Sequence, residues 1–587
     1  MKPIATIADL YRRFDKELNK PNALNEKVGN EWIKLSHAEL AKQIRELTLY
    51  LVQAGVKKGD AIGILAPPGI RWIVADLASI LAGAVVVPLF ANISEENFVF
   101  ECTQPNVKTL FVGGLDQWIM YSKHKDLFDR VISLDHINNK PEHVSYETAL
   151  SIGAEIYARD PNKFESLLDQ FSTDDIATII YTSGSTGVPK GALITHKVLV
   201  GVVYVNPFEW NTENDSYLSI LPLAHVFGRT FNFIMLSWGI PAYYFNDLKA
   251  VGEVCREIKP TITALVPRLL EKIYAKMVSN VENASFLKKS IGQWAFSLAN
   301  DEEESISKTL FQPLADKIVY SHLRDALGGN FRIIISGGAP LNPHLNHFFH
   351  EVGIPIYEGW GLTEASIVSV NNPKENKIGT VGKAIETMEV KVGQDGELLI
   401  RGPVCFTGYY KNPQLTKETI DDEGYVHSGD KGVIDSEGYI TILGRIKDLV
   451  KSSVGEYIAP VPIEQALSKA PFIDLSMVVA EKRKFVSILI FPNFEVVRSL
   501  KAAQKQEHLT DEEFLNSDYI KSEMDKLIES INKHLNHWEQ IHAYRFVLSL
   551  PTIETGELTP SMKIRREVVS KKYAELIDSM YPEEAHL

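Results

Sequence analysis

Between Tyr181 and Gly191 the chain reads Tyr-Thr-Ser-Gly-Ser-Thr-Gly-Val-Pro-Lys-Gly, a composition suited to holding an anion. Gly184 and Gly187 let backbone N–H groups turn toward a phosphate. The hydroxyls of Thr182, Ser183, Ser185 and Thr186 add neutral donors, and Lys190 adds charge. Apolar β-type runs at 176–181 and 192–195 flank the stretch, so two strands bridged by a hydroxyl-rich loop are expected. An ordinary hairpin turn uses about two to five loop residues and needs neither the lysine nor the hydroxyls. Nor is this the G-x-x-x-x-G-K-[ST] loop, because Pro189 stands five residues after Gly184.

A second cluster, Glu358-Gly-Trp-Gly-Leu-Thr-Glu364, follows an apolar strand-like run at 354–357. Trp360, between Gly359 and Gly361, can lie flat against a purine; the Thr363 hydroxyl can reach a phosphate, and the Glu364 carboxylate can hold Mg²⁺. A core tryptophan and a helix-capping Thr/Glu would explain each residue singly, but not their order behind a phosphate loop. Ser336-Gly-Gly-Ala-Pro340 ends another apolar run, at 331–335, where an open α/β sheet usually receives a nucleotide; a tight turn into a helix at Asn342 reads equally well. Asp430 stands just past a turn, suited to accept hydrogen bonds from ribose hydroxyls, although a lone Ser-Gly-Asp is more often a plain turn. Further on come a polar glycine loop at 451–457 and a lysine, Lys563, close to Pro560; taken alone, that lysine reads as a surface cation.

Elements that could position these residues are visible around them. The helical spacing at 36–53 puts Leu40, Ile44, Leu47 and Leu51 on one face, behind a Ser36-x-x-Glu39 capping box. Runs at 61–66, 84–89 and 217–222 read as buried strands, and strands alternating with helices mean βαβ units and a largely parallel sheet. The apolar run 73–90, broken by Asp76 and Gly83, reads as a buried helix leading into a strand, not a membrane span. A helix is expected to open near Ala224–Arg229 and to close at Gly239. The charged helical stretch 280–330 carries no assigned role, and the aromatic stretch 231–245 fits either an acyl tunnel or any buried helix and strand.

With 587 residues the chain needs more than one core. Its net charge of −14 argues against nucleic acid and against a generally basic membrane-docking face. Cys102, Cys255 and Cys405 lie too far apart for a disulfide framework or a metal site, which fits a cytoplasmic protein. Peripheral membrane contact and oligomeric state stay open.

Taken in this order, the motifs resemble the adenylate-forming (AMP-forming) acyl-CoA synthetase superfamily, and within it the long-chain fatty acyl-CoA synthetase branch. The branch rests on Leu221-Pro-Leu-Ala-His225, the stretches 336–341, 455–460 and 558–563. The resemblance implies an α/β chain with a large multi-subdomain N-terminal domain of mainly parallel sheets, residues 1–444, and a small mobile α+β domain, 445–587. It implies fatty acid, ATP and CoA as substrates, with Mg²⁺ as cofactor: the carboxylate attacks the α-phosphate to give acyl-AMP and pyrophosphate, and the CoA thiol then displaces AMP. By the same resemblance Thr182, Ser183, Gly184, Ser185, Thr186, Gly187 and Lys190 hold the β- and γ-phosphates. Gly338, Ala339, Glu358, Gly359, Trp360 and Gly361 form the adenine side, Thr363 contacts the α-phosphate, and Glu364 binds the metal. Asp430 and Arg445 hold the ribose, Lys447 is the hinge, and Lys563 bridges carboxylate and α-phosphate. His225 lines the acyl and CoA approach. Lys451, Gly455, Glu456 and Tyr457 face CoA once the small domain has rotated. Trp360 and Ser428 replace the family's usual tyrosine and threonine. A fatty acyl-AMP ligase serving a carrier protein, and a non-catalytic lipid- or nucleotide-binding protein, are the rival readings.

Overall fold

The computed structural model describes residues 4–135, 143–182, 188–247, 250–301, 306–452, 457–553, 555–559 and 563–581. The apolar runs flanking the phosphate loop form an antiparallel pair, Ile176–Thr182 with Lys190–Thr195, in register from Ile176↔Thr195 to Thr182↔Lys190. They close one side of a seven-stranded sheet whose other strands are Val144–Ser145, Arg130–Ser133, Thr109–Val112, Ala61–Leu65 and Val85–Leu89, all parallel. Helix His37–Gln53 begins at the expected capping box: Ser36 accepts from the Glu39 N–H, and Glu39 reaches back to the Ser36 N–H. The run 73–90 resolves into helix Ile70–Leu81 and strand Val85–Leu89, as its break at Gly83 requires.

A second, nine-stranded sheet carries most of the nucleotide motifs. Its middle strands, Ala242–Tyr244, Tyr217–Ser219, Ile262–Leu265, Ile333–Ser336 and Ile356–Leu362, run parallel. The strand expected at 354–357 instead runs on through the motif to Leu362, then turns back as Ser366–Val370. Cross-strand packing explains the glycine there: a Cβ on Gly361 would stand 1.9 Å from the Ser366 carbonyl oxygen. Gly361 therefore serves the hairpin itself.

Helix Val226–Trp238 lies against both sheets, capped by His225 at one end and by left-handed Gly239, φ +67°, at the other. Its Arg229 is buried and forms a bidentate pair with Asp76 of helix Ile70–Leu81; it also donates to Thr178 Oγ1 at 2.7 Å. Burial pushes the Asp76 carboxyl up and Arg229 pulls it down, with burial the larger effect. Breaking such a pair on one side leaves an unpaired charge in the core and costs about 3–5 kcal/mol. The aromatic stretch 231–245 is buried helix and strand: Phe231, Phe233 and Tyr244 sit in the main apolar core.

An antiparallel sheet of Glu389–Val392, Glu397–Arg401, Val426–Ile434 and Ile440–Arg445 follows. Arg445 still pairs with Asp430, so the chain leaves this sheet through the short turn Ile446–Asp448. Beyond it, strands Ile473–Val479, Val486–Pro492 and Ile541–Phe546 form a smaller sheet. Helices Pro460–Leu467 and Asp518–Asn532 help to enclose a separate apolar core around Ile463, Ile488 and Met524. Among the described residues no helix is long and apolar enough to cross a membrane.

Candidate active site

Three strand ends converge on one region of the structure. The first is the phosphate hairpin, where Thr182 Oγ1 donates to the Lys190 carbonyl at 3.5 Å and Lys190 opens the outgoing strand. Ser183, Gly184, Ser185, Thr186 and Gly187 lie outside the described residues. Burial lowers the Lys190 pKa, the nearby Lys447 lowers it further, and Glu364 and Glu418 oppose them. One region therefore gathers Lys190, Lys447 and Glu364.

The second turn joins Ile356–Leu362 to Ser366–Val370 and carries Thr363 and Glu364. Thr230 of helix Val226–Trp238 sits 3.3 Å from Ser366 Oγ, tying that helix to this turn. Glu364 Oε1 accepts a hydrogen bond from the Tyr409 hydroxyl at 2.5 Å, and the Glu364 carbonyl accepts from the Phe406 N–H at 2.7 Å. The segment bearing Tyr409 lies along the outgoing phosphate strand, with Tyr410 N–H donating to the Gly191 carbonyl, so Lys190 Nζ comes 5.9 Å from the Tyr409 ring centre. Tyr409 is the residue that sequence reasoning missed; a Gly-Tyr-Tyr triplet carries no signal by itself.

The third turn follows strand Ile333–Ser336. Gly338 takes φ +80°, which a side chain would resist, and Gly338 and Ala339 are exposed. Glu358 braces this turn: its carboxylate accepts from the Leu341 N–H at 3.3 Å and from Asn346 Nδ2 at 3.1 Å, and it is 5% exposed. Burial raises its pKa to about 7 against those hydrogen bonds. Both oxygens are engaged by protein, so the Glu358 carboxylate supports this turn from within.

Trp360 is 8% exposed and packs in the main core, while its indole Nε1 donates to Asp430 Oδ2 at 2.9 Å. Arg445 Nε reaches the other oxygen of Asp430 at 2.9 Å and also donates to the Ser428 carbonyl at 3.0 Å. Ser428 Oγ accepts from the Asp430 N–H at 3.0 Å, so the serine performs the turn-fixing task of a threonine here. Burial raises the Asp430 pKa, while Arg445, Trp360 and Lys563 lower it. Trp360 packs as a core residue, and its indole fixes where Asp430 points.

Lys563 comes from the small unit, beside the bridge between Leu558 and Ile564, with the Thr559 N–H donating to its carbonyl at 2.8 Å and its own N–H donating to Thr559 Oγ1 at 3.0 Å. The residue keeps substantial exposed surface, yet protein encloses its ammonium closely enough that desolvation is the main force lowering its pKa. Arg445 adds to the lowering, and Asp430 and Asp448 oppose it. Half-buried His225 has its pKa pushed down to about 4 by burial and then by Lys563, so it is neutral near pH 7 and accepts the Phe227 N–H at Nδ1, 3.2 Å away.

The structure thus brings Lys190, Thr363, Glu364, Asp430, Arg445, Lys447, His225 and Lys563 around one cleft. Gly455 and Glu456 lie outside the described residues; Lys451 and Tyr457 are seen as backbone, in the paired strands Val450–Lys451 and Tyr457–Ile458. A small cavity whose lining includes Ile180, Val198, Val226, Arg229, Thr230 and Thr363 lies beside the second turn. No group of three or more His, Cys, Asp or Glu that could hold a metal occurs among the described residues.

Residues 12–410 match the AMP-binding enzyme family, and 447–585 match the AMP-binding enzyme C-terminal domain. A long-chain-fatty-acid–CoA ligase of Mycobacterium bovis is 32% identical, covering 97% of this chain and 96% of its own length. A peroxisomal long-chain acyl-CoA synthetase of Arabidopsis thaliana is 28% identical, covering 95% and 82%. Among solved structures, the adenylation domain of a carboxylate reductase from Mycobacterium chelonae superposes with a TM-score of 0.77 at 22% identity, covering 99% of this chain and 92% of that one, and so shares its fold. With both matched regions together spanning most of its length, this chain belongs to the AMP-binding enzyme family.

Proposed function

We propose that the protein ligates a long-chain fatty acid to coenzyme A through an acyl-AMP intermediate. The observation that carries this is Lys563, reaching from the small unit into the cleft beside Asp430, Arg445 and His225. A carboxylate has no good leaving group, whereas acyl-AMP carries one. In the first step the fatty carboxylate oxygen bonds to the α-phosphorus and the bond to pyrophosphate breaks. Lys563 holds carboxylate and α-phosphate together and offsets the charge developing between them. Lys190 and the Thr182–Thr186 hydroxyls hold the outer phosphates, and Thr363 orients the α-phosphate. Asp430 accepts from the ribose while Arg445 holds that carboxylate in place. Glu364 fits a magnesium ion shared with the phosphates; such an ion would neutralise their negative charge. In the second step the CoA thiolate bonds to the acyl carbon and AMP leaves.

His225, at the start of helix Val226–Trp238, lines the acyl and CoA approach. Residues 1–444 and 445–587 act as two bodies turning about Lys447, so that the loop 451–457 replaces Lys563 in the second step. Peripheral membrane contact belongs to the same proposal, supported by exposed Phe286 and Leu287 and by the stripe Leu310, Leu314 and Ile318 at four-residue spacing. Flotation with phospholipid vesicles tests that contact; protein that stays with the soluble fraction contradicts it.

The enzyme reading is tested with ATP, palmitate and CoA. Pyrophosphate and palmitoyl-CoA should form together, and omission of CoA should leave acyl-AMP. Pyrophosphate release independent of fatty acid would overturn the reading, and acyl transfer to a carrier protein but not to CoA would favour the carrier-linked alternative. A series of fatty acids compared by kcat/KM defines the chain length.

A further inference from the structure

The two units meet at contacts for which the chemistry has no use. Arg268 stands one residue after Pro267, at the start of helix Pro267–Glu282. Its guanidinium donates to both the backbone carbonyl and the carboxylate of Asp474, on the small unit's strand Ile473–Val479. The two side chains keep only 14% and 15% of their surface exposed. Glu271, one turn along the same helix, lies 3.4 Å from the same guanidinium, and its pKa is raised by burial and by Asp474 and lowered by Arg268. A second contact comes from Asn342. Its Oδ1 caps helix Pro343–Glu351 at His344, while its Nδ2 donates to the Gln465 carbonyl at 2.8 Å and to Ser468 Oγ at 3.2 Å. Both contacts flank the glycine turn at 337–341: Val266, two residues before Arg268, is the neighbour of Gly338, and Asn342 follows Leu341.

We propose that Arg268, assisted by Asn342, latches the small unit in the orientation that keeps Lys563 in the cleft, and so sets the balance between the two half-reactions. The inference rests on the two-orientation reading given above. Asp474, Gln465 and Ser468 belong to the same small unit as Lys563, so a rotation that withdraws the lysine also breaks these contacts. The latch therefore stabilises one orientation only. If each half-reaction proceeds in proportion to its own orientation, the ratio of the two rates follows the equilibrium between orientations, whatever its starting value. A charge-assisted contact largely shielded from water contributes roughly tenfold to such an equilibrium. Removing Arg268 also leaves Glu271 and Asp474 facing each other without a cation, which adds repulsion to lost attraction. Arg268 is thus a positioning residue for adenylation.

The test measures both half-reactions on the full chain: acyl-AMP formation from palmitate and ATP, and palmitoyl-CoA formation from supplied palmitoyl-AMP and CoA. For Arg268→Ala the ratio of first to second should fall about tenfold, with the thioester step unchanged or faster. Asp474→Ala should give a smaller shift, because Arg268 keeps Glu271 and the Asp474 backbone carbonyl. The double variant should be no worse than Arg268→Ala alone, and Ser468→Ala should shift the ratio in the same direction. Arg268→Lys, which keeps a charge, should recover part of the ratio. An unchanged ratio in folded Arg268→Ala protein overturns the latch, and so does an equal loss of both half-reactions, which would make Arg268 a structural brace. Lys563→Ala, measured alongside, separates the two levels. If it loses only adenylation while Arg268→Ala leaves the ratio unchanged, the latch fails and the two orientations stand. If Lys563→Ala loses both steps equally, the two-orientation reading fails and takes the latch with it.

Discussion

Replacing Asp430 by asparagine tests how the centre of the cleft is held. The native carboxylate has two oxygens and two protein donors, Trp360 Nε1 and Arg445 Nε, each at 2.9 Å. Asparagine offers a single oxygen. Trp360 is 8% exposed and cannot turn to water, whereas the Arg445 side chain is 47% exposed and can. The asparagine oxygen should therefore stay with the indole, leaving its amide NH₂ against the guanidinium. Arg445 keeps its 3.0 Å bond to the Ser428 carbonyl, and water takes over the rest. The cost is the charge-assisted part of one buried hydrogen bond plus a weakened, half-exposed ion pair, together about 2–3 kcal/mol. Thermal unfolding of the ligand-free protein should shift down by a few degrees. If Asp430 also accepts from the ribose, the stabilisation conferred by AMP should shrink as well, and the KM for ATP should rise. An unchanged midpoint together with an unchanged KM would refute this account of Asp430.

Three other outcomes follow from the same geometry. Glu364→Gln keeps an acceptor for the Tyr409 hydroxyl but removes the charge, so the protein should fold normally and lose on the order of 10²-fold or more in adenylation rate; near-normal rates at limiting Mg²⁺ would contradict a metal-binding role. Asp76→Asn leaves Arg229 buried without a counter-charge and should cost about 3–5 kcal/mol in stability, read as a lowered unfolding midpoint with the KM values of the surviving protein unchanged. In the role proposed for it Lys563 must carry its proton, and burial followed by Arg445 lowers its pKa, so adenylation should fall on the alkaline side at a pH below ordinary lysine ionisation. Since Asp430 raises that pKa, Asp430→Asn should move this limb to lower pH; movement to higher pH would show that the limb belongs to another group.

What the sequence disclosed was local. The Ser36/Glu39 capping box, the strand pair around the phosphate loop and the helix ended by Gly239 depend on neighbours in the chain, and all three appear where spacing put them. Long-range partners left no such trace. Asp76 and Arg229 are 153 positions apart, and in the sequence Asp76 is only a break in an apolar run. Tyr409 reaches Glu364 from 45 residues away, through a segment with no periodic pattern. Glu358 shows a different limit. Its place in a nucleotide motif reads as ligand contact, while its burial and its bonds to Leu341 and Asn346 make it a support for the adjoining turn. Gly361 stands in the same motif and makes room for the Ser366 carbonyl. Motif residues are chosen together for a site, and adjacency in the chain does not separate those that touch a ligand from those that hold the walls.

The central claim, that one cleft uses the small unit's two faces in turn, is tested most directly by Lys563→Ala with the half-reactions separated. On the proposed mechanism Lys563 offsets charge that develops between carboxylate and α-phosphate, a situation found only in adenylation. The account predicts that the variant forms no acyl-AMP from palmitate and ATP, yet converts supplied palmitoyl-AMP and CoA to palmitoyl-CoA at close to the native rate. Equal loss of both steps in soluble, folded Lys563→Ala protein, or adenylation that survives the substitution, would contradict it.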